Sequence, residues 1–182
     1  MSKPRIALVL GATGGIGGET ALALSRHGWI IRALSRSAKP SSDSTGWDCV
    51  KGDALDRASV VAAAQGADAI VHAVNPPGYR NWATQVLPMI ENTIAAAKSS
   101  GARILLPGTI YNYGPDAFPV LREDSPQNAT THKGKIRIAL EAKLETAARD
   151  RVRSLIVRFG DFFGPKPGNS WFSQGWSNRT VR

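Results

Sequence analysis

The chain has 182 residues, a length typical of one domain with its own hydrophobic core, so a second full domain is not expected. Lys and Arg outnumber Asp and Glu by 23 to 14, and the formal charge of +9 favours anionic ligands, phosphates and nucleic acid among them. A single cysteine, Cys49, excludes an internal disulfide and a thiolate zinc site, which makes the reducing cytoplasm the expected location. No apolar run approaches the roughly 18 residues that span a bilayer, so we expect no membrane partner. With no set of cysteine ligands, we expect no metal either.

Short β-branched and aliphatic runs alternate with amphipathic segments, the pattern of a parallel sheet with helices on both faces. The predicted strands are Ile6–Leu10, Trp29–Leu34, Asp48–Lys51, Ala69–Ala73, Arg103–Leu106 and Ser154–Arg158. This order predicts an α/β fold of the Rossmann type, a doubly wound parallel sheet, over residues 1–166, followed by an irregular tail over 167–182. Ligands of such a sheet bind at the carboxyl ends of its strands.

Three apolar stripes at helical spacing lie between these strands. Their members are Ile16, Thr20 and Leu24 in the first, Val86, Ile90, Ile94 and Ala97 in the second, and Ile136, Leu140, Leu144 and Ala147 in the third. Gly28 and Gly101 stand where the first two helices are predicted to end, and Pro88 is expected near the first turn of the second.

The glycine-rich stretch "GATGGIG" follows the first predicted strand and opens the first predicted helix. Glycines at positions 11, 14 and 17 allow a tight turn and a close approach of the backbone to a pyrophosphate at the helix N-terminus. The residues expected at the pyrophosphate are Gly11, Thr13, Gly14, Gly15, Ile16 and Gly17. The G-x-x-G-x-x-G spacing resembles the short-chain dehydrogenase/reductase superfamily, in particular its branch of NAD(P)-dependent epimerases, dehydratases and NmrA-like relatives.

The end of the second strand tests which nucleotide fits. An acidic residue there would hydrogen-bond the ribose 2′-hydroxyl and repel a 2′-phosphate, and Ser35 occupies the slot in which NAD-preferring relatives carry Asp. Arg36 follows directly, with Arg32 and Lys39 close in sequence, and these groups favour NADP over NAD. The alternative is that Arg36 is an ordinary solvated surface charge.

Two further stretches resemble the family's cofactor contacts. In "GDALD", Asp53 matches the adenine-binding Asp, with Ala54 beside it, and after the fourth strand Ala73 and Val74 match residues that lie against the ribose or nicotinamide. His72 reads as a packed strand residue rather than a base, because its neighbours are apolar.

The family's enzymes use a Ser or Thr that hydrogen-bonds the reacting oxygen, a Tyr that transfers the proton and a Lys four residues later. The stretch "LLPGTIYNYG" resembles the family's "SSxxVYG" and places Thr109 in the hydroxyl position. Against "YxxxKxxxE", however, the chain reads "KGKIRIALE", so Lys133 takes the Tyr slot, Arg137 the Lys slot, and Glu141 is retained. Lys133 and Arg137 share a helix face, on which they would hold phosphates or the ribose.

The missing phenol leaves the proton-transferring group open. Tyr111 and Tyr113, on the same loop as Thr109, are candidates for a displaced phenol, and loop packing or substrate contact is the alternative for both. Lys133 would serve only if burial and its cationic neighbour lowered its pKa. The long segment 108–135 is a candidate site loop, or alternatively a disordered excursion.

The last strand and its exit, "SLIVRFGDFFGP", resemble the family's "RxGxxYGP" segment, which runs past the nicotinamide. Gly160, Asp161 and Phe162 are therefore expected near the reacting end. Relatives continue from here into a substrate-binding lobe, which we expect to be absent. The aromatic residues of the tail either cap a cleft or belong to an interface; they are Trp171, Phe172 and Trp176.

The resemblance implies an NADP-linked oxidoreductase, epimerase or dehydratase for a small carbonyl or sugar-like substrate. The alternative is a non-catalytic NADP sensor or partner-binding module, which the altered Tyr/Lys pair would suit. Nucleic-acid binding ranks last because the basic residues are scattered. The sequence leaves a homodimer open as the assembly.

Overall fold

The computed structural model describes residues 3–37, 46–76 and 81–160. The strands are Ile6–Leu10 (β1), Ile30–Ser35 (β2), Asp48–Lys51 (β3), Ala69–His72 (β4), Arg103–Thr109 (β5) and Ser154–Phe159 (β6). The helices are Gly15–Arg26 (α1), Arg57–Ala63 (α2), Trp82–Ser100 (α3) and His132–Arg149 (α4), with one 3₁₀ turn at Pro115–Ala117. All six predicted strands are confirmed, and β5 runs three residues beyond its predicted end, to Thr109.

The strands form one parallel sheet in the order β3-β2-β1-β4-β5-β6. The chain winds outward from β1 to β3 and then returns to place β4 on the other side of β1. This reversal leaves a crevice at the carboxyl ends of β1 and β4, where a doubly wound sheet binds its ligand. The predicted Rossmann-type fold is confirmed.

The sheet separates two apolar clusters because successive side chains of a strand point to opposite faces. On β1, Leu8 and Leu10 join the larger cluster with residues of α3 and α4, whereas Ala7 and Val9 join the smaller one with Ala21 of α1. The small residues facing α1 allow that helix to lie close to the sheet, which brings its first turn to the crevice.

Two helices end where glycine predicts, but one helix does not begin where proline predicts. Gly28 and Gly101 adopt left-handed φ values of 79° and 75° just after α1 and α3, as predicted. Pro88 lies inside α3 rather than in its first turn, so the predicted start was wrong. The helix begins six residues earlier, at Trp82, whose ring is buried and anchors that end.

Several predicted positions lie outside the described residues. They are the tail 167–182, part of the polar loop after β2, and the individual residues Lys39, Asp161, Phe162, Trp171, Phe172 and Trp176. The long segment 108–135 is described throughout, and it contains the fully buried Asn112. That loop therefore packs into the domain instead of leaving it.

Candidate functional site

The glycine turn between β1 and α1 is shaped by contacts that exclude side chains. Gly11 has a φ of 87°, and its carbonyl accepts a hydrogen bond from the amide of Gly14 at 2.9 Å. A Cβ atom at Gly17 would lie 2.2 Å from the carbonyl oxygen of Gly11, and one at Gly11 would lie 2.6 Å from that of Ala73. The first turn of α1 therefore packs directly on backbone, which only glycine permits.

The N-terminus of α1 suits an anionic group. Gly14 occupies the N-cap position without a side-chain hydrogen bond, and the first turn contains no acidic residue. Thr13, Gly14 and Gly15 are exposed, whereas Ile16 is half-buried and Gly17 buried. The amide groups of the first turn and the helix dipole therefore suit a phosphate group, and this exposed helix end fits the pyrophosphate of a dinucleotide.

At the end of β2, Ser35 and Arg36 lie at the rim of the crevice. Ser35 is half-buried and its hydroxyl accepts from the amide of Ser37 at 3.4 Å, while Arg36 is exposed. Arg32 is committed elsewhere: its guanidinium binds Asp48 at 2.9 Å and two backbone carbonyls of the α2 end at 2.8 Å each. Of the basic residues near this strand that the structure describes, two are exposed at its carboxyl end: Arg36, and Lys51, which pairs in register with Ser35.

The loop after β3 is anchored by a residue that the sequence did not single out. Asp53 is half-buried and accepts from the amide of Leu55 at 2.9 Å. The carbonyl of the neighbouring Ala54 accepts from the side-chain amide of Asn92 on α3 at 3.0 Å. Asn92 lies 38 residues further along the chain, so its contact with this loop depends on the tertiary fold.

The exit of β4 closes the other side of the crevice. Ala73 and Val74 are half-buried, and the Cβ of Ala73 would lie 3.2 Å from one on Gly17. His72, just before them, is buried and pairs through Nδ1 with Thr93 at 2.8 Å. Burial, and secondarily the charge of Arg137, lower the pKa of His72 to about 3. The interpretation of His72 as a packed strand residue is confirmed by its burial.

Lys133 and Arg137 lie on α4 and are both half-buried. The guanidinium of Arg137 stands 5.1 Å from the centre of the Trp82 ring, whose Nε1 donates to Asn75 at 2.7 Å. Arg137 therefore lies on the β4 side of the crevice, where it contacts the Trp82 ring and is close enough for its charge to lower the pKa of His72.

Thr109 is the last residue of β5 and is half-buried. Its hydroxyl donates to Oδ1 of Asn112 at 3.2 Å and accepts from the amide of Tyr111 at 3.3 Å. The two tyrosines that follow differ in access. Tyr111 is 41% exposed, whereas Tyr113 is buried with the Arg158 guanidinium 5.0 Å from its ring centre.

Asn112 continues into a closed ring of polar side chains that joins β5, the following loop, α4 and β6. We call it the Thr109 network; its members are Thr109, Asn112, Gln127, Glu141 and Arg158. The amide of Asn112 donates to Oε1 of Gln127 at 2.8 Å, and that of Gln127 donates to Glu141 at 3.1 Å.

Arg158 completes this ring from β6. It binds both carboxylate oxygens of Glu141, at 2.9 and 2.8 Å, and donates to the carbonyl of Thr109 at 3.1 Å. The hydrogen bonds to Glu141 raise the pKa of Arg158 above its ordinary value. Glu141 is buried, so its carboxylate finds its polar partners within the domain, in this bidentate pair and in Gln127.

Gly160 follows β6 directly and is exposed, and no atom of the described residues lies within 4 Å of the place where a Cβ would stand. In the part of the chain that the structure describes, no three His, Cys, Asp or Glu residues come together as a metal site would require. None of the described helices combines the length and the apolar character needed to cross a membrane.

Comparisons with known proteins identify the family of this chain. Residues 11–162 match the model of the family described as NAD(P)H-binding, and the chain belongs to that family. A comparison with curated protein sequences yields no match.

Solved structures share the fold. UDP-glucose 4-epimerase from Brucella ovis, in complex with NAD, has a TM-score of 0.77 at 20% identity over 86% of this chain and 52% of its own. UDP-N-acetylglucosamine 4-epimerase from Bacillus cereus has a TM-score of 0.77 at 18% identity over 93% of this chain and 57% of its own. A short-chain dehydrogenase/reductase superfamily protein from Agrobacterium tumefaciens, with bound NAD, has a TM-score of 0.69 at 21% identity over 85% of this chain and 49% of its own.

The chain thus has the fold of these two epimerases and of this short-chain dehydrogenase/reductase superfamily protein, and it spans roughly half the length of each. The resemblance stated from the glycine motif is confirmed at the level of fold and of NAD(P)H-binding family.

Proposed function

We propose that the protein binds NADP in preference to NAD. The observation that carries this proposal is the combination of the side-chain-free glycine turn with the end of β2, where Ser35, Arg36 and Ser37 offer hydroxyls and a guanidinium. A hydroxyl and an exposed guanidinium suit a 2′-phosphate, and no carboxylate among these three residues would repel it. Asp53 and Ala54 would contact the adenine.

We further propose an oxidoreductase, epimerase or dehydratase activity on a small carbonyl or sugar-like substrate. Bound cofactor would supply the hydride acceptor or donor, and Thr109 would orient the reacting oxygen. Tyr111 or Lys133 is the better candidate for proton transfer, because Tyr111 is exposed and Lys133 occupies the family's Tyr slot. The burial of Tyr113 beneath Arg158 favours a packing role for that residue.

Direct titration of the purified protein with NADPH and NADH, followed by fluorescence, tests the cofactor proposal. We expect Arg36→Ala to weaken NADPH binding about tenfold, towards the NADH value, while NADH binding stays unchanged, since the lost charge-assisted hydrogen bond is worth roughly 1.5 kcal/mol. Arg103→Ala is the matched control, because Arg103 is an exposed arginine at the amino end of β5, whereas Arg36 follows the carboxyl end of β2. Equal effects of Arg36→Ala on both nucleotides would contradict the preference.

A second candidate function is a non-catalytic NADP sensor or partner-binding module. Lys133 and Arg137 favour it, because they stand where the family's Tyr and Lys would be. Nucleotide binding that persists without turnover on any small carbonyl or sugar-like substrate, and with no effect of Thr109→Ala, would support this second function over the first.

A further inference from the structure

The last residues of β2 and β3 lie side by side on one face of the sheet. In β2, Ala33 packs in the smaller apolar cluster, on the side of α1, so Ser35, two residues further on, faces the same way. In β3, Cys49 packs against that cluster, and Lys51 follows it by the same interval. The parallel register pairs Ser35 with Lys51. The Lys51 side chain therefore stands next to that of Ser35, on the face that carries α1 and at the carboxyl end of both strands.

The backbone of Lys51 is held in this place by the residue that follows it. The amide of Gly52 donates to the carbonyl of Ser35 at 3.0 Å. A Cβ atom at Gly52 would lie 2.7 Å from Cδ1 of Leu34 and 2.9 Å from Cβ of Ser59, so the exit of β3 runs tightly between β2 and α2. The exposed side chain of Lys51 thus extends from an anchored backbone.

Two basic residues flank Ser35. Arg36 is next to it in the chain, and Lys51 is next to it across the strand pair. Both are exposed, and neither forms an ion pair with any of the residues that the structure describes. A guanidinium, a hydroxyl and an ammonium group are therefore adjacent at this rim of the crevice.

The carboxylates nearest to Lys51 in the sequence have other partners. Asp48, at the far end of β3, binds Arg32 at 2.9 Å. Asp53 accepts from the amide of Leu55 at 2.9 Å. The positive charge of Lys51 is thus left for an anionic ligand.

We propose that Lys51 is a specificity-determining residue of the cofactor site. With Arg36 it forms a two-cation site that joins the ends of β2 and β3 and binds the phosphomonoester at the 2′ position of the adenosine. Such a group carries a charge of about −1.5 to −2 at pH 7, more than one guanidinium compensates. This inference rests on the proposed function, since it concerns the same end of the cofactor.

The variant Lys51→Met tests the assignment, because it keeps most of the apolar stem of the side chain and removes the ammonium group. Titration of the full chain with NADPH and with NADH, followed by fluorescence, gives two dissociation constants for each protein. We expect Lys51→Met to weaken NADPH binding by about tenfold and to leave NADH binding unchanged. Lys51→Arg retains the charge and should retain most of the preference.

Lys3→Met is the matched control. Lys3 is also exposed, but it precedes β1 and so lies towards the amino ends of the strands. The two methionine variants lose the same net charge, so a difference between them reports a local contact instead of the overall field of the protein. We expect Lys3→Met to bind both nucleotides as the unmodified protein does.

The fragments 2′,5′-ADP and 5′-AMP locate the effect on the cofactor, since they differ by the 2′-phosphate and contain no nicotinamide. In calorimetric titrations, the preference of the unmodified protein for 2′,5′-ADP should fall by about tenfold in Lys51→Met. A merely structural role of Lys51 would weaken both fragments together.

The outcomes separate this inference from the proposed function. An unmodified protein that prefers NADPH, with the same preference in Lys51→Met, overturns the role of Lys51 and leaves the proposed function standing on Arg36. Equal weakening of NADPH and NADH in Lys51→Met overturns it as well. An unmodified protein without preference for NADPH defeats the proposed function, and the fragment titrations then decide the two-cation site, which falls if 2′,5′-ADP binds no tighter than 5′-AMP.

Discussion

The two halves of the crevice are built from opposite materials. On the β1 side, the glycine turn works by the absence of side chains, with the backbone of Gly11 in contact with that of Gly17 and Ala73. On the β5 side, Thr109 is held by the side chains of Asn112, Gln127 and Glu141, and Arg158 closes the ring. A phosphate needs only amide groups at a helix end, whereas a reacting oxygen needs a hydroxyl of defined direction.

This difference has consequences for substitution. The glycine turn tolerates no side chain at Gly11 or Gly17, because the obstructing groups there are backbone and cannot move aside. The Thr109 network tolerates changes of shape better than changes of donor and acceptor, because each of its members depends on the hydrogen-bonding pattern of the next.

The largest effect is expected from Gly17→Ala. Its Cβ would lie 2.2 Å from the carbonyl oxygen of Gly11, so α1 must move away from β1, at a cost of about 3 kcal/mol or more in the free energy of unfolding. Urea denaturation measures the loss, and NADPH binding should disappear with it. Gly66→Ala is the matched control: its φ of 72° strains an alanine by about 1 kcal/mol, but its Cβ meets nothing and the crevice is untouched. Equal losses in both variants would contradict the close packing of the glycine turn.

The next effect concerns the ion pair of the network. Glu141→Ala leaves the half-buried Arg158 without its carboxylate, and we expect the free energy of unfolding to fall by roughly 2–3 kcal/mol, a range that allows for the partial exposure of Arg158. Glu91→Ala removes a carboxylate from the more exposed pair with Lys143, also on α4, and should cost less than about 1 kcal/mol. Denaturant melts of the two variants side by side decide the point. A cost for Glu91→Ala as large as that for Glu141→Ala would be at odds with a buried, closed network.

The third effect is a pH dependence of the free energy of unfolding, and it originates at His72, the last residue of β4. Its pKa in the folded protein, about 3, lies below the ordinary 6.5, so between these values the unfolded chain binds a proton that the folded chain does not. The free energy of unfolding should therefore fall as the pH drops below 6.5, by about 2 kcal/mol at pH 5.

His72→Asn removes this dependence while it keeps an N–H donor near Thr93. Denaturation of both proteins between pH 7.5 and pH 4 should show a slope in the parent that is steeper by up to about 1.4 kcal/mol per pH unit. Parallel curves would refute a neutral, buried His72.

Local signals were sufficient for the first half of the crevice. The strands, the glycine turn and the stops at Gly28 and Gly101 depend on residues adjacent in sequence, through the alternation of a strand and the freedom of glycine at positive φ. Pro88 gave a wrong start for α3, because the helix begins six residues before it. The buried Trp82 anchors that first turn, a contact that no local signal announces.

Local signals did not predict which partner a polar side chain binds when that partner is distant in sequence. Arg32 seemed available to a phosphate, yet it binds Asp48 and the end of α2. Asn92, Asn112 and Gln127 carry no motif, since an amide is equally common on a surface. Their hydrogen bonds in the folded chain, and the burial of Asn92 and Asn112, reveal their role in holding the loops around the crevice.

The sequence by itself determined the doubly wound fold and the position of the nucleotide turn, because apolar periodicity and glycine spacing act over a few residues. Only the tertiary structure decided that Thr109 is tied through Asn112 and Gln127 to Glu141 and Arg158. The physical reason is that a hydrogen bond acquires its direction from both partners, and these partners, spread from position 109 to position 158, meet only when β5, α4 and β6 pack together.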